Sequence, residues 1–139
     1  MTAGLGRSAL LVAAGGTLGS AARIGIGLLL PASGGMPWAT LTVNLVGAFV
    51  LGALLEVLRR RGPDEGRRRA LRLAAGTGFC GGFTTYSAFA VESVRLLESA
   101  PVLGVVYILA TLLAGAAATL AGFGLGGWMH GRTERRRPA

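Results

Sequence analysis

Gly76-Thr77-Gly78-Phe79-Cys80-Gly81-Gly82-Phe83-Thr84-Thr85-Tyr86-Ser87 is the stretch on which the fold turns. It sits inside an apolar run, residues 71–97, that is long enough to cross a ~30 Å hydrocarbon core as a helix. An intact membrane helix would favour Leu and Ile here, yet the stretch holds four glycines and four serines or threonines. Irregular backbone within a bilayer is tolerated only where it is buried in protein or lines a hydrated cavity, because each unpaired peptide group costs several kcal/mol. The composition therefore predicts a helix broken near mid-membrane, and broken membrane helices leave carbonyls and amides free to bind ions. Gly76-x-Gly78-x-x-Gly81 also matches the dinucleotide-binding fingerprint. That motif requires a preceding strand, a following helix and an aqueous fold, so its position in a hydrophobic run excludes it.

Outward from this stretch the sequence repeats the membrane signal. Further apolar runs at residues 8–30, 38–58 and 102–128 bring the expected spans to four, with a tail at 129–139. The expected fold is one all-α integral membrane domain covering 1–139. Pro31-Ala32-Ser33-Gly34-Gly35-Met36-Pro37 reads as an uncharged turn of helix breakers between the first two spans. The link at residues 59–69 carries six arginines and must be aqueous. The first run contains Arg23 and is too long for a signal-peptide core, so it is read as retained.

Composition agrees. Of 139 residues, 52% are hydrophobic and 14% charged, and mean hydropathy is +0.59. The net charge of +8 is not that of a nucleic-acid reader, whose basic residues would lie on a folded polar surface. All of it is arginine, and 12 of the 14 lie in the N-terminal tail, the region 59–72 and the C-terminal tail. Those three segments share one side of a four-span chain, whereas the opposite side carries Arg95 alone. The positive-inside rule then places both termini in the cytoplasm and the chain in the cell inner (plasma) membrane as a multi-pass protein. Cys80 is the single cysteine, so no internal disulfide forms, and zinc-type ligand spacings are absent. His130, the lone histidine, lies in the basic tail with no nucleophile at plausible spacing, which argues against an enzyme.

Several polar residues stand where lipid would select against them. Gly15/Gly19, Gly78/Gly82 and Gly122/Gly126 keep the four-residue spacing of close-packed membrane helices. Helical spacing gathers Thr85, Phe89 and Glu92 on one side beyond the break, with Tyr86 and Ser93 nearby. Tyr107, Thr111, Gly115 and Thr119 recur every four residues along the last span. Such hydroxyls either line a polar path or bond back to their own helix. Asn44 either donates to an anion or ties helices together. Arg23 either marks a functional site within the membrane or snorkels to its surface.

The assembled residues resemble the Fluc (CrcB) family of fluoride channels. The likeness covers Gly15-Gly16-x-x-Gly19-x-x-x-Arg23, Thr40-Leu41-x-Val43-Asn44-x-x-Gly47-x-Phe49, and the opening stretch through Phe89 and Glu92. The resemblance implies an antiparallel dimer with two pores and a central structural sodium ion, Na+, held by the backbone carbonyls of Gly81 and Thr84, two from each subunit. It implies passive export of fluoride, with Asn44, Ser87, Tyr107, Thr111 and Thr119 along the pore and ring-edge contacts from Tyr86 and Phe89. Arg23 would sit at a vestibule, and Glu92 would be a carboxylate near the permeation path. Tyr86 stands where the family usually has Phe, Ala88 where it has Thr, and Gly115 where Ser is frequent.

The strong arginine bias favours one orientation, so the antiparallel partner is expected to be either a second copy or, preferred on charge, a homologue of inverted bias. The rival reading is a small four-span multidrug or cation transporter. Proton-coupled exchangers of that kind carry a carboxylate in an early span, and the first span here has none; Glu56 ends the second beside Arg59.

Overall fold

A computed structural model describes residues 2–135, and the side chains of residues 4–129. The described residues are helical with short connections and no strand, apart from one isolated bridge between Ser33 and Met36. Helix α1 covers Thr2–Leu29 and α2 covers Trp38–Arg60. Helix α3 (Gly66–Leu71) runs directly into a wider π-helical stretch (Arg72–Cys80) and a last turn, α4 (Gly81–Phe83). Helix α5 (Tyr86–Ser99) follows, then α6 (Pro101–Arg135). Three segments are long and apolar enough to cross a membrane: Gly4–Leu29, Trp38–Arg60 and Pro101–Met129.

Several boundaries differ from the sequence expectation, among them the start of α1 at Thr2 rather than residue 8. The helix leading into the glycine-rich stretch starts at Gly66, before residue 71. Helix α6 continues through Arg135, so residues 129–135 of the expected tail are helical. Arg136 and Arg137 lie outside the described residues, as do the side chains of Arg132 and Arg135. The break itself falls at Thr84 and Thr85, which leave helical geometry at φ −80°, ψ 161° and φ −147°, ψ 121°. The chain stays helical through the preceding glycines, and for Gly78 and Gly82 the role is contact. A Cβ at Gly78 would lie 2.7 Å from the Val12 carbonyl oxygen, and one at Gly82 would overlap that of Gly16. Conversely, Gly15 and Gly19 admit the backbone at Ala74 and Phe79. These contacts advance together along both chains, so α1 and the π-helical stretch run parallel with their backbones nearly touching.

Helices α2 and α6 form the second parallel pair. Gly122 rests on the carbonyl of Phe49 and Gly126 on that of Ala53. The glycine pairs expected to pack do pack. A Cβ at Gly122 would overlap Phe49, whereas one at Gly124 meets nothing within 4 Å. Gly122→Val is therefore expected to lower stability in detergent by about 3 kcal/mol through overpacking, while Gly124→Val leaves it unchanged. Equal unfolding midpoints would refute the contact.

The connections follow from local chemistry. Gly34 and Gly35, at φ 61° and 78°, turn the chain so that the Met36 N–H reaches the Ser33 carbonyl at 3.1 Å. At the other end of the bundle, Gly4 and Arg7 border the same cavity as Gly66 and Arg69, and Arg60 reaches Gly127. The start of α1, the arginine-rich link and the far part of α6 thus share one end. Glu56, at the end of α2, is buried and accepts from Arg59 (2.9 and 3.0 Å) and from Arg60. Large apolar side chains such as Leu28, Leu5 and Leu120 point outward, which suits lipid.

Candidate functional site

The break at Thr84 and Thr85 is held by an asparagine. Asn44 donates its Nδ2 to the Thr85 carbonyl (3.1 Å) and accepts from the Thr85 N–H at its Oδ1 (2.8 Å). One amide thereby meets both peptide groups of Thr85, replacing the helical partner that its N–H has lost and adding a second donor to its carbonyl, as broken backbone away from water requires. Asn44 does tie helices together, and its second Nδ2 hydrogen remains for another acceptor. Thr85 also caps α5, its Oγ1 accepting the Ala88 N–H at 3.2 Å. Thr84 Oγ1 donates to the Cys80 carbonyl at 2.9 Å.

These bonds release two carbonyls. The N–H that would reach Gly81 by helical spacing, that of Thr85, is directed to Asn44, and the one that would reach Thr84, that of Ala88, is directed to Thr85 Oγ1. The carbonyl oxygens of Gly81 and Thr84 are thus left for an outside partner, and their chemistry suits a hard cation. The intervening Gly82 carbonyl is occupied by Arg23 Nε (3.2 Å) and Ser20 Oγ (3.4 Å). Arg23 accordingly reaches into the protein beside the break.

A groove of about 560 Å³ runs past the break between α2, the π-helical stretch and α6. It collects seven of the residues singled out in the sequence: Asn44, Gly81, Thr84, Tyr86, Phe89, Thr111 and Thr119. Its floor is a small-residue face of α2, Gly47, Ala48 and Gly52. Thr111 and Thr119 line it, yet each hydroxyl hydrogen is donated to its own helix, to Tyr107 (2.8 Å) and Gly115 (3.0 Å). The back-bonding alternative holds for both hydroxyls, and two of the four stripe residues border the groove. Tyr86 is 81% exposed at the groove's edge, its ring 6.2 Å from that of Phe89 and tilted by 50°. Ser87 is exposed nearby, its Oγ 3.3 Å from Thr85 Oγ1.

Tyr107, Glu92 and Arg23 stand elsewhere. Tyr107 is wholly buried, outside the groove's lining, and its hydroxyl donates to Glu92 Oε2 at 2.7 Å. Thr40 donates to Glu92 Oε1 at 2.8 Å, so one carboxylate joins α2, α5 and α6. A smaller cavity of about 260 Å³ holds Arg23 and Glu92 together with Thr40, Thr85 and Ala88. It borders the groove at Thr85.

Two of these partners were not anticipated as site residues. Thr40 and Thr85 bear the groups that meet Glu92 and Asn44. A signal for them existed. Thr40 and Asn44 are one turn apart on α2 and so present two polar groups to the same neighbour, and Glu92 lies two turns from Thr85 on α5.

The family described as CrcB-like protein, Camphor Resistance (CrcB), matches residues 10–123. The chain belongs to the CrcB family. Among its relatives, the fluoride-specific ion channel FluC 2 of Leifsonia xyli subsp. xyli is 55% identical over 122 residues, covering 87% of this chain and 84% of that protein. The fluoride-specific ion channel FluC 1 of Cutibacterium acnes is 51% identical over 108 residues, covering 76% of each. FluC of Gloeobacter violaceus is 46% identical over 123 residues, covering 84% of this chain and 94% of its own length. The matched region of this CrcB chain spans every residue placed in the groove.

Proposed function

We propose that this chain is one subunit of a fluoride-selective channel that lets the anion leave the cytoplasm down its gradient. The observation that carries the reading is the groove at the helix break, where seven residues drawn from four segments converge in a chain whose relatives are named fluoride-specific channels.

Fluoride is small and strongly hydrated, so a path for it must replace water with closely spaced donors. The remaining Asn44 amide hydrogen is one such donor, and the Ser87 hydroxyl, 3.3 Å from that of Thr85, is another. The hydroxyls of Thr111 and Thr119 become donors by rotating out of their back-bonds, an exchange of one hydrogen bond for another. Tyr86 and Phe89 offer ring edges, which are positive where ring faces are negative. Buried Tyr107 supports the path from behind by fixing Glu92 beside the Arg23 vestibule. No bond is made or broken, and selectivity against chloride comes from the narrowness of a path that only a small ion fits.

Residues 66–83 and α5, joined at Thr84 and Thr85, provide the fourth crossing. The groove is open along one side, which an antiparallel second subunit would close. The freed carbonyls of Gly81 and Thr84 suit a structural sodium ion shared by the two subunits, and its positive charge would favour an anion in the adjacent pores. The clustering of arginine at one end of the bundle supports a reading with both termini in the cytoplasm of a cell-membrane protein. Because that bias favours a single orientation, the second subunit is a homologue with the opposite bias.

The test is fluoride efflux from liposomes, with the chain alone and with an inverted homologue, against chloride as control. Efflux of fluoride and not chloride is expected for the pair. No fluoride efflux from folded protein in either composition would remove the channel reading, and equal insertion of this chain in both orientations would remove the heterodimer.

A further inference from the structure

The groove does not end in apolar protein. Leu55 and Phe123, which line it at the arginine-rich end of the bundle, also line a further cavity of about 440 Å³ whose charged members are Arg59, Asp64, Arg68 and Arg72. At its other end the groove meets the Arg23 cavity at Thr85. Three cavities therefore lie in series, with guanidinium groups at both extremities.

The arginines of the outer cavity are not equivalent. Arg59 is committed to Glu56 at 2.9 Å. Arg72 is committed to Asp64, with Nη2 2.7 Å from Oδ2. Arg68 instead donates Nε to the neutral carbonyl of Pro63 at 2.7 Å, and its Nη2 lies against Gly62, where a side chain would come within 3.6 Å. It is fixed in place while its charge stays uncompensated. Arg23 is arranged in the same way, held through Nε by the Gly82 carbonyl. A guanidinium anchored by a neutral carbonyl is positioned at no cost to its field, and its remaining N–H groups are available to an anion.

We propose that the cavity around Arg68 is an anion-collecting mouth of the permeation path, with Asp64 setting its strength by neutralising Arg72. The ligand class is a small inorganic monovalent anion, held weakly enough to pass on. This rests on the fluoride-channel reading above. The hydrogen bond from Arg72 holds the Asp64 carboxyl below the usual carboxylate range, so the neutralising charge is present at any working pH. A mouth of one sign with low-dielectric walls raises the local concentration of the opposite ion, an effect that salt screens over ~30 Å at 0.01 M and ~8 Å at 0.15 M.

The experiment measures fluoride efflux from vesicles of zwitterionic lipid, in whichever composition conducts, at about 10 mM and about 300 mM of an impermeant salt. At low salt Arg68→Gln is expected to slow efflux by ~3-fold or more and Asp64→Asn to speed it by ~2-fold, with both differences shrinking to within ~1.5-fold at high salt. Arg68→Lys, which keeps the charge, should restore most of the low-salt rate. Wild-type vesicles that conduct while Arg68→Gln matches them at both ionic strengths would overturn the mouth. A defect that persists undiminished at high salt, or that Lys does not rescue, would also overturn it by assigning Arg68 to structure. Wild-type vesicles that fail to conduct would instead remove the permeation reading itself.

Discussion

Asn44→Ala is expected to reduce fluoride efflux to the background of empty liposomes and to cost about 2–4 kcal/mol of stability. The substitution orphans the Thr85 N–H, now bonded at 2.8 Å, at about 1–3 kcal/mol, and removes the 3.1 Å second donor of a carbonyl that also caps α5, at about 0.5–1.5 kcal/mol. Water cannot repair the loss at membrane depth. Asn44→Asp separates the two roles assigned to this side chain. It keeps the acceptor for the Thr85 N–H, so it should fold better than the alanine variant. It has no amide donor and places a negative charge beside the path, so it should conduct no better. Thermal unfolding in detergent together with liposome efflux reads both quantities. An alanine variant with wild-type stability would show that the break does not depend on Asn44.

The second large effect is expected at Glu92. Its carboxylate accepts from Thr40 and Tyr107 and is the joint between α2, α5 and α6. Glu92→Ala should destabilise the protein by about 3–5 kcal/mol, because two charge-assisted bonds are lost and the hydroxyl of a wholly buried tyrosine is left without an acceptor. Thr40 has an escape, since a threonine in a helix can bond back to its own backbone, as Thr111 and Thr119 do here. Most of the cost should therefore reside at Tyr107. Tyr107→Phe alone should cost about 1–2 kcal/mol, and combined with Glu92→Ala it should recover part of the loss. Additive costs in this cycle would show that the two groups do not interact.

Much of this arrangement is encoded locally. Apolar runs of membrane length, the turn at Gly34 and Gly35, the glycine pairs and the arginine-rich link can each be read from neighbouring residues, because chain length, φ preference, small volume and charge act over a few positions. The glycines of residues 76–82 show where local reading stops. Their density signals an interruption, yet the chain stays helical through Phe83, and two of them, Gly78 and Gly82, serve the close approach of α1. The same residue type relieves backbone strain in one context and admits a neighbouring backbone in another. Only the position of the neighbour distinguishes them. The break that follows is made where the Thr85 N–H is claimed by an asparagine 41 positions away and the Ala88 N–H by the Thr85 side-chain cap.

The sequence by itself determined that the opening stretch, residues 76–87, is an anomaly within a membrane-length helix, and that polar groups accompany it in the other apolar runs. It did so because lipid penalises every unpaired polar group, so each one that persists must have a use. Tertiary structure alone decided what those uses are. Asn44 serves Thr85, Glu92 receives Thr40 and Tyr107, and Arg23 holds the Gly82 carbonyl. A hydrogen bond is defined within about 3 Å, and helix register fixes which donor meets which acceptor only after the parallel pairs α1 with the π-helical stretch and α2 with α6 have closed on their glycine faces.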